Sequence, residues 1–179
     1  MRVRHFSMSM AAGVFLVSAM VGGASAKNAK EMAALQQAKV TLHEAIGAAQ
    51  KEIPGSWVLD ADIATVKGKV SYSIEVVKDG LHAVRVDLDD GRILNVVKRN
   101  IPPKDWKQMA AVEAAEINMF DAIAIAEGKF PGGKVVSADV KTRSGRVRWD
   151  INIEQDGLHV VHVDPESGSV LKVARKLDD

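Results

Sequence analysis

The chain contains the same short pattern twice, and this repeat constrains its fold more than any other feature. Residues 79–87 read DGLHAVRVD and residues 156–164 read DGLHVVHVD. When the sequence is shifted by 77 positions, residues 44–99 align with residues 121–176 without a gap, and 22 of the 56 aligned pairs are identical. Self-similarity at a fixed offset indicates that one supersecondary unit is duplicated. We therefore expect one small fold built twice.

The boundary between the two copies lies at Pro102 and Pro103. Proline lacks the backbone N–H that helices and sheets need, so two consecutive prolines indicate a short, stiff linker. We place the linker at residues 100–104, the first repeat at residues 27–99 and the second at residues 105–179. So short a linker is compatible with close packing of the repeats, sheet to sheet or edge to edge. The sequence does not choose between these arrangements.

Each repeat opens with a predicted helix. In the first repeat, apolar residues recur every three, four or seven positions over residues 30–52, which is the spacing of one buried helix face. The Pro-Gly pair that follows is expected to end this helix. In the second repeat Asp105 is a candidate N-cap, and the same apolar stripe recurs from Met119 to Phe130.

The rest of each repeat is predicted to be β-strand. Apolar and polar residues alternate over residues 59–63 and 70–76, so one face of each strand is buried and the other is wetted. Asp79 and Gly80 favour a tight hairpin because both accept the positive φ that such turns need, and residues 89–91 form the next turn. The predicted fold class is α+β: two tandem repeats, each an N-terminal helix packed on an antiparallel four-stranded meander sheet.

The N-terminal residues predict export. Arg2 and Arg4 precede an apolar run of about 15 residues that ends in Ala-Ser-Ala, the pattern of a secretory signal peptide over residues 1–26. The alternative is a retained membrane anchor, but the run is shorter than the roughly 20 residues of a spanning helix. We therefore expect cleavage after Ala26, a periplasmic or secreted location, and no stable membrane insertion afterwards.

Charge and cysteine content exclude several classes of function. The formal net charge is +1, and −1 without the two N-terminal arginines, which is too small to indicate a nucleic-acid partner. The chain has no cysteine, which excludes disulfides, thiol catalysis and cysteine-bound zinc. It also lacks a GxSxG or HExxH motif. We expect no catalytic residues, no metal and no cofactor, so the protein is predicted not to be an enzyme. The sequence sets no oligomeric state.

His82 and His159 first suggest a duplicated site. Each follows an Asp-Gly turn and shares the core-facing side of its strand with valines. A histidine there is expected to bond a turn carbonyl, and the alternatives are a ligand or metal role and a pH switch. His162 lies three positions after His159, so the two rings point to opposite faces and do not chelate one ion together.

Three other positions need an interpretation. Asp87 and Asp164 precede turns that end in glycine, which favours side-chain bonds to backbone N–H groups two residues ahead over a cation-binding loop. Trp57 follows the Pro-Gly pair of the first repeat and aligns with Lys134. A tryptophan exposed there is a candidate anchor for a protein partner. The candidate partner-binding residues are therefore Trp57, His82 and His159.

The sequence resembles the PepSY domain, a module of secreted metallopeptidase propeptides and bacterial envelope proteins. The resemblance is carried by the helix that ends in Pro-Gly, by the strand SYSIEVV and by the segment VRVDLDDGRILNV. The second repeat has WDINIE and VHVDPESGSVLKV in the corresponding places, so the resemblance covers nearly all of the chain after residue 26, twice. It implies no catalytic residues, and it implies inhibition or regulation of a peptidase, or binding at the cell envelope.

Two hypotheses for the function follow. The first is an exported, non-catalytic binding or regulatory module whose partner is a protein, such as a peptidase, held as an extended segment at an open sheet edge. The second is an envelope sensor or carrier of a small ligand or metal that uses the His-bearing turns. The second predicts that His82→Ala and His159→Ala abolish ligand binding without loss of folding.

Overall fold

The computed structural model describes residues 29–101, 106–143 and 145–176. The predicted signal peptide (residues 1–26), residues 102–104 of the predicted linker and the candidate N-cap Asp105 lie outside them. Among the helices of the described residues, none is long and apolar enough to cross a membrane. The elements in chain order are α1 (Ala29–Gln37), α2 (Leu42–Glu52), β1 (Trp57–Val66), β2 (Lys69–Val77), β3 (Leu81–Val86), β4 (Ile93–Arg99), α3 (Trp106–Glu113), α4 (Met119–Glu127), β5 (Lys134–Arg143), β6 (Arg146–Glu154), β7 (Leu158–Val163) and β8 (Val170–Arg175).

The single helix predicted over residues 30–52 is wrong, because the structure has two helices there. The chain leaves the helix after α1, and Thr41 starts α2 as an N-cap with extended backbone. Thr41 Oγ1 accepts from the Glu44 N–H at 3.1 Å, and Glu44 Oε2 accepts from the Thr41 N–H at 2.7 Å. This reciprocal pair is a capping box, whose sequence signal is Thr-x-x-Glu. The cap therefore divides the predicted helix into two, although the apolar stripe runs through both parts.

The second repeat breaks its helix at the equivalent place. Asn118 caps α4 with its side-chain oxygen. In both repeats the break is bonded to the turn after the third strand. The Val40 N–H donates to the Leu88 carbonyl at 3.1 Å, and the Ile117 N–H donates to the Pro165 carbonyl at 2.8 Å. The break is therefore a property of the duplicated unit.

The strands and hairpins agree with the predicted α+β class. Each repeat contributes an antiparallel four-stranded meander. The hairpins between the second and third strands have positive φ at both central residues: Asp79 (50°) and Gly80 (131°), then Asp156 (52°) and Gly157 (115°). Three residues separate the paired positions Val77 and Leu81, and Asp-Gly supplies the positive φ of this tight hairpin at low cost.

The two meanders join edge to edge in one eight-stranded sheet of order β4-β3-β2-β1-β5-β6-β7-β8. β1 and β5 pair antiparallel, and Ala61 lies opposite Ala138 at the centre of the pairing. Ala138 is the residue 77 positions after Ala61, so each alanine pairs with its own counterpart. A pseudo-twofold axis therefore passes through this pair and relates one repeat to the other.

The core-facing side of the sheet is symmetric about that axis. One row of paired residues crosses all the strands and reads V-V-I-A-A-I-V-V: Val96, Val84, Ile74, Ala61, Ala138, Ile151, Val161 and Val173. α2 and α4 pack on this face. Their residues Ile46 and Ile123 are fully buried. The duplication thus built one continuous core beneath one sheet.

Two large aromatic residues fix the helix breaks to the sheet. Tyr72 and its counterpart Trp149 are buried, and the sequence predicts Trp149 in the core. Tyr72 Oη donates to the Val40 carbonyl at 2.7 Å. Trp149 Nε1 donates to the Ile117 carbonyl at 2.8 Å. Because the break exposes carbonyl groups that a continuous helix would use, these bonds satisfy buried acceptors.

Candidate binding groove at the junction of the repeats

The rings of His82 and His159 each bond the turn that precedes them. His82 Nε2 lies 3.0 Å from the Lys78 carbonyl oxygen. His159 Nε2 lies 3.1 Å from the Gln155 carbonyl oxygen, and its ring packs on Phe130 with centroids 4.7 Å apart. β2, β1, β5 and β6 separate the two strands that carry them. The structure therefore gives each ring a structural partner and does not bring the two histidines together.

The carboxylates of Asp87 and Asp164 are bonded to their own turns, as the sequence predicts. Asp87 Oδ1 accepts from the Asp89 N–H at 2.9 Å, and Asp164 Oδ1 accepts from the Ser167 N–H at 2.9 Å. The hydrogen bond from Lys69, followed by that from the Asp89 backbone, lowers the pKa of Asp87. The backbone bond from Ser167 lowers the pKa of Asp164. Hydrogen bonds from the turn backbone, and for Asp87 the bond from Lys69, thus favour the anionic form of both groups.

Trp57 lies in a groove of about 380 Å³ where the start of β1 meets the connection between α3 and α4. We call it the Trp57 groove. Trp57 and Phe120 line it and remain 40% and 37% exposed. Val112 and Met119 lie buried at its base. Glu116 is the one charged side chain among the described lining residues.

The pseudo-twofold axis places an equivalent groove in the other half of the molecule. This Lys134 groove is lined by residues of the α1–α2 connection, by Glu127 and by Lys134, and its volume is only about 70 Å³. Lys134 Nζ donates to the carbonyls of Leu35 and Gln36, at 3.1 and 2.8 Å. These are the last carbonyls of α1, where a cation is favoured by unpaired acceptors and by the helix dipole.

Both grooves are assembled from the two repeats together. The Trp57 groove combines β1 and the end of α2 from the first repeat with α3 and α4 from the second. α3 packs against β1, and α1 packs against β5. Neither groove can form in an isolated repeat. Sequence analysis named Trp57 as a candidate anchor because a tryptophan next to the Pro-Gly pair could be exposed. It missed Phe120 and Glu116 as neighbours of Trp57, because their place beside it depends on how the repeats pair.

His43 links the helices that flank the axis. Its ring contacts Phe120 edge to face, with centroids 3.6 Å apart. Its Nδ1 lies 3.4 Å from Glu127 Oε2. Phe120 is the residue 77 positions after His43, so the two rings are counterparts that meet at the axis. Phe120 lines the Trp57 groove and Glu127 lines the Lys134 groove, and His43 therefore joins the walls of both.

The opposite face of the sheet carries a row of carboxylates that sequence reasoning also missed. Glu75, Asp60, Asp139 and Asp150 lie directly opposite one another on β2, β1, β5 and β6. Like charges in opposite positions of a sheet destabilise it. Single-strand alternation marks these residues as polar, but only the pairing of β1 with β5 brings them into one row.

Protonation and one lysine relieve this repulsion. Burial, together with Asp62, Asp139 and Glu75, raises the pKa of Asp60 to about 8. Burial also raises the pKa of Asp139, although Lys141 Nζ lies 2.6 Å from its Oδ1 and opposes the change. Asp60 is therefore mostly protonated at neutral pH.

Asp150, at the end of the row, lies beside His162 and Arg148. His162 Nδ1 and Arg148 Nε each lie 2.6 Å from Asp150 Oδ1. Within residues 29–101, 106–143 and 145–176, no group of three or more His, Asp or Glu side chains is arranged to hold a metal ion.

The family profile of PepSY, described as peptidase propeptide and YPEB domain, matches residues 39–97 and again residues 117–174. The two matches cover more than half of the chain. The chain belongs to the PepSY family. PepSY domains are non-catalytic modules associated with peptidase propeptides. Both PepSY matches begin at the helix break, so α1 and α3, which contribute to the grooves, lie outside them.

Solved structures give a weaker likeness. A protein from Clostridium difficile 630 described as a lipoprotein has 21% sequence identity and a TM-score of 0.46, over 78% of this chain and 95% of that chain. The C-terminal domain of YpeB from Bacillus megaterium has 12% identity and a TM-score of 0.28, over 79% of this chain and 67% of that chain. Both TM-scores are below 0.5, so neither structure carries an argument about function. No curated protein sequence matches this chain.

Proposed function

We propose that this PepSY protein is an exported, non-catalytic binding module that docks on a protein partner and modulates a peptidase or another envelope protein. The observation that carries the proposal is the Trp57 groove, in which two aromatic side chains remain exposed around an open concavity. Its volume falls within the roughly 300–1,000 Å³ of ligand sites. Aromatic residues in such positions supply a large share of the free energy of protein association.

The family and the N-terminal sequence support the peptidase link and the location. The description of the family as a peptidase propeptide domain makes a peptidase the first partner to test. Arg2, Arg4 and the apolar run that follows favour export to the periplasm or the exterior. On this proposal the functional protein comprises the repeats at residues 27–99 and 105–179.

The groove is a better candidate than the sheet edges. Pairing of β1 with β5 leaves β4 and β8 as the edge strands of the described sheet. Exposed apolar residues lie on both edge strands: Val96 and Val97 on β4, and Leu171 and Val173 on β8. Each edge strand also carries two cationic residues, Lys98 and Arg99 on β4 and Lys172 and Arg175 on β8. Cationic side chains on an edge strand oppose strand addition.

The sensor or carrier hypothesis has no observation in its favour. It depends on the rings of His82 and His159, and the Nε2 atom of each already bonds a turn carbonyl. The two rings also lie on strands that four other strands separate. Partner binding by these two histidines, expected from the sequence, is therefore a weaker proposal than binding by Trp57.

The proposal is tested by immobilising the purified protein and exposing it to envelope and culture-supernatant proteins of the organism that makes it. The matched control is Trp57→Lys, which replaces the groove residue with the residue of the equivalent position. We expect a protein that the unmodified chain retains, with or without chelator, and that the variant releases. Purified with this chain, a captured peptidase should change its cleavage rate.

Equal retention by the two proteins would show that the groove is not the docking site. Retention of no protein would contradict the binding-module proposal. Metal that co-purifies at a fixed ratio, and that is lost with His82→Ala or His159→Ala, would favour the sensor or carrier instead.

A further inference from the structure

We propose that the Trp57 groove receives a lysine side chain of the partner protein, which occupies the place that Lys134 fills in the equivalent groove. This inference rests on the proposed function, since it names the chemistry of the same site. The groove would then bind protein segments that carry a lysine, in preference to segments that are only apolar.

The Lys134 groove shows what the architecture accepts. There the Lys134 ammonium group lies against the end of α1 and donates to the Leu35 and Gln36 carbonyls. Their counterparts 77 positions further on are Val112, which lines the Trp57 groove, and Glu113, the last residue of α3. The molecule thus contains one copy of the site with its lysine present and one copy without it.

The carbonyls at the end of α3 lack the equivalent donor. The Val112 carbonyl accepts a long bond of 3.4 Å from the Ala115 N–H, as the Leu35 carbonyl does from the Ala38 N–H at 3.3 Å. No residue that the structure describes donates to the carbonyl of Glu113. The last turn of α3 also carries no basic side chain. Helix carbonyls without partners attract a cation, and the helix dipole adds to that attraction.

The two grooves differ in the charged residues that line them. Glu116 is the charged residue of the Trp57 groove, whereas Glu127 and Lys134 line the other groove. Lys39, the counterpart of Glu116, lies 3.6 Å from Asp89 and is not part of that lining. Lys78, the cation beside Gly55 at the rim, donates to the Pro54 carbonyl. The Trp57 groove therefore presents the Glu116 carboxylate close to the end of α3, and no lysine of the described residues lines it. This charge complements an ammonium group.

Trp57 completes a site for a long cationic side chain. It stands at the position of Lys134 and is 40% exposed. A lysine places an apolar stem along an aromatic surface and its ammonium at polar groups, and an ammonium near an indole face gains a cation–π attraction. The groove therefore matches both the stem and the charge of a lysine.

The test uses two peptides of five residues, acetylated and amidated, that differ only in a central lysine or norleucine. Norleucine keeps an unbranched apolar stem and lacks the ammonium group. Because the chain has three tryptophans, its three indole N–H signals are monitored by NMR during titration, with Trp57→Phe used to assign one. We expect the lysine peptide to shift the Trp57 signal, to leave buried Trp149 unchanged, and to bind at least about tenfold more tightly than the norleucine peptide, a difference of about 1.4 kcal/mol.

Two variants separate the charge from the aromatic surface. Glu116→Gln should weaken the lysine peptide several-fold and leave the norleucine peptide unchanged. Trp57→Lys should abolish binding of the lysine peptide, because the ammonium group of the introduced lysine occupies the place at the end of α3 that the peptide lysine would take. The Lys134 groove already accommodates that residue, and circular dichroism of the variant checks that the fold is kept.

Equal affinity for the two peptides, or no shift of the Trp57 signal by either, would overturn the lysine assignment. The proposed function fails separately, when the immobilised protein captures no partner that depends on Trp57. A partner that is captured through Trp57 but whose binding survives acetylation of its lysines would leave the proposed function standing and overturn this inference.

Discussion

The Trp57 groove and the Lys134 groove occupy equivalent places in one pseudosymmetric molecule, yet one is open at about 380 Å³ and the other is nearly filled at about 70 Å³. Lys134 lies across its groove and bonds the end of α1, whereas Trp57 leaves the end of α3 uncovered. A duplicated fold therefore duplicates its concavities, and one aligned pair of residues separates the filled concavity from the open one.

The two faces of the sheet also differ in how closely the repeats match. The core row is identical on either side of the axis, because both halves must fill the same space beneath the helices. The outer row is not. Asp60 and its counterpart Ser137 differ, as do Glu75 and Asn152. Core counterparts also differ, as Tyr72 and Trp149 do, but they keep an apolar or aromatic character. On the outer row the exchanges change charge, so the repeats acquire different chemistry there.

The largest expected effect distinguishes a core tryptophan from a groove tryptophan. Trp149→Ala should lower the free energy of unfolding by about 3–5 kcal/mol, since it empties a buried aromatic site. Trp57→Ala should change it by less than about 0.5 kcal/mol, as at other exposed positions. Urea unfolding measures both. A comparable loss in Trp57→Ala would show that Trp57 is a core residue and would remove the distinction between the grooves.

A change at Asp60 would make the row of carboxylates on the outer face of the sheet more alike in the two halves. In the folded protein the pKa of Asp60 is raised to about 8 from an ordinary value of 3.8, by burial and by Asp62, Asp139 and Glu75. The folded state therefore binds more protons than the unfolded state between these values. Stability from this group is fully present below pH 3.8 and falls as the pH rises towards 8.

Asp60→Ser, which copies the counterpart Ser137, removes that decline. We expect the variant to exceed the unmodified protein in stability at pH 8 by at least about 1.4 kcal/mol, the equivalent of one pKa unit. The gap should close towards pH 4. Urea unfolding at a series of pH values checks this. Parallel stability curves for the two proteins would show that Asp60 ionises normally.

A smaller effect is expected when the cation is removed from the filled groove. Lys134→Met keeps the stem and loses the two bonds to the end of α1, which should lower the free energy of unfolding by about 1 kcal/mol. Trp57→Lys supplies the equivalent bonds at α3, so we expect it to raise stability by a similar or smaller amount. Thermal unfolding of both variants measures the pair. A gain of stability in Lys134→Met, or a loss in Trp57→Lys, would mean that a lysine at this position does not stabilise the helix end.

The smallest effects belong to the two histidine turns. His82→Ala removes one bond to a turn carbonyl, with an expected cost of about 0.5–1 kcal/mol. His159→Ala should cost somewhat more, because His159 also packs on Phe130. Denaturant unfolding at pH 8 compares them. A specific loss of partner binding in either variant, at unchanged stability, would instead assign these rings to recognition.

Much of each repeat could be predicted from local sequence. Alternation located the strands, and Asp79-Gly80 located a hairpin with the required positive φ. The single predicted helix was wrong because the apolar stripe runs through two helices without a gap. Thr41 and Glu44 form the capping box that begins the second helix. That signal was present in the sequence, and the longer periodic pattern obscured it.

The candidate site could be predicted only in part. Trp57 was a candidate because a tryptophan exposed beside the Pro-Gly pair can anchor a protein partner. The local sequence around Glu116 and Phe120 does not indicate a binding role, since a glutamate and a phenylalanine are common on an amphipathic segment. They line the groove because α3 packs on β1 of the other repeat.

The sequence by itself determined that one α+β unit occurs twice, where its strands and hairpins lie, and that the family is PepSY. Side-chain periodicity and turn residues act over a few neighbouring residues, and the repeat is visible when the two halves of the sequence are aligned. Only the tertiary structure decided that β1 pairs with β5 through Ala61 and Ala138. The grooves and the carboxylate row follow from that pairing. They join residues far apart in the chain, so their formation depends on the packing free energy of two whole repeats.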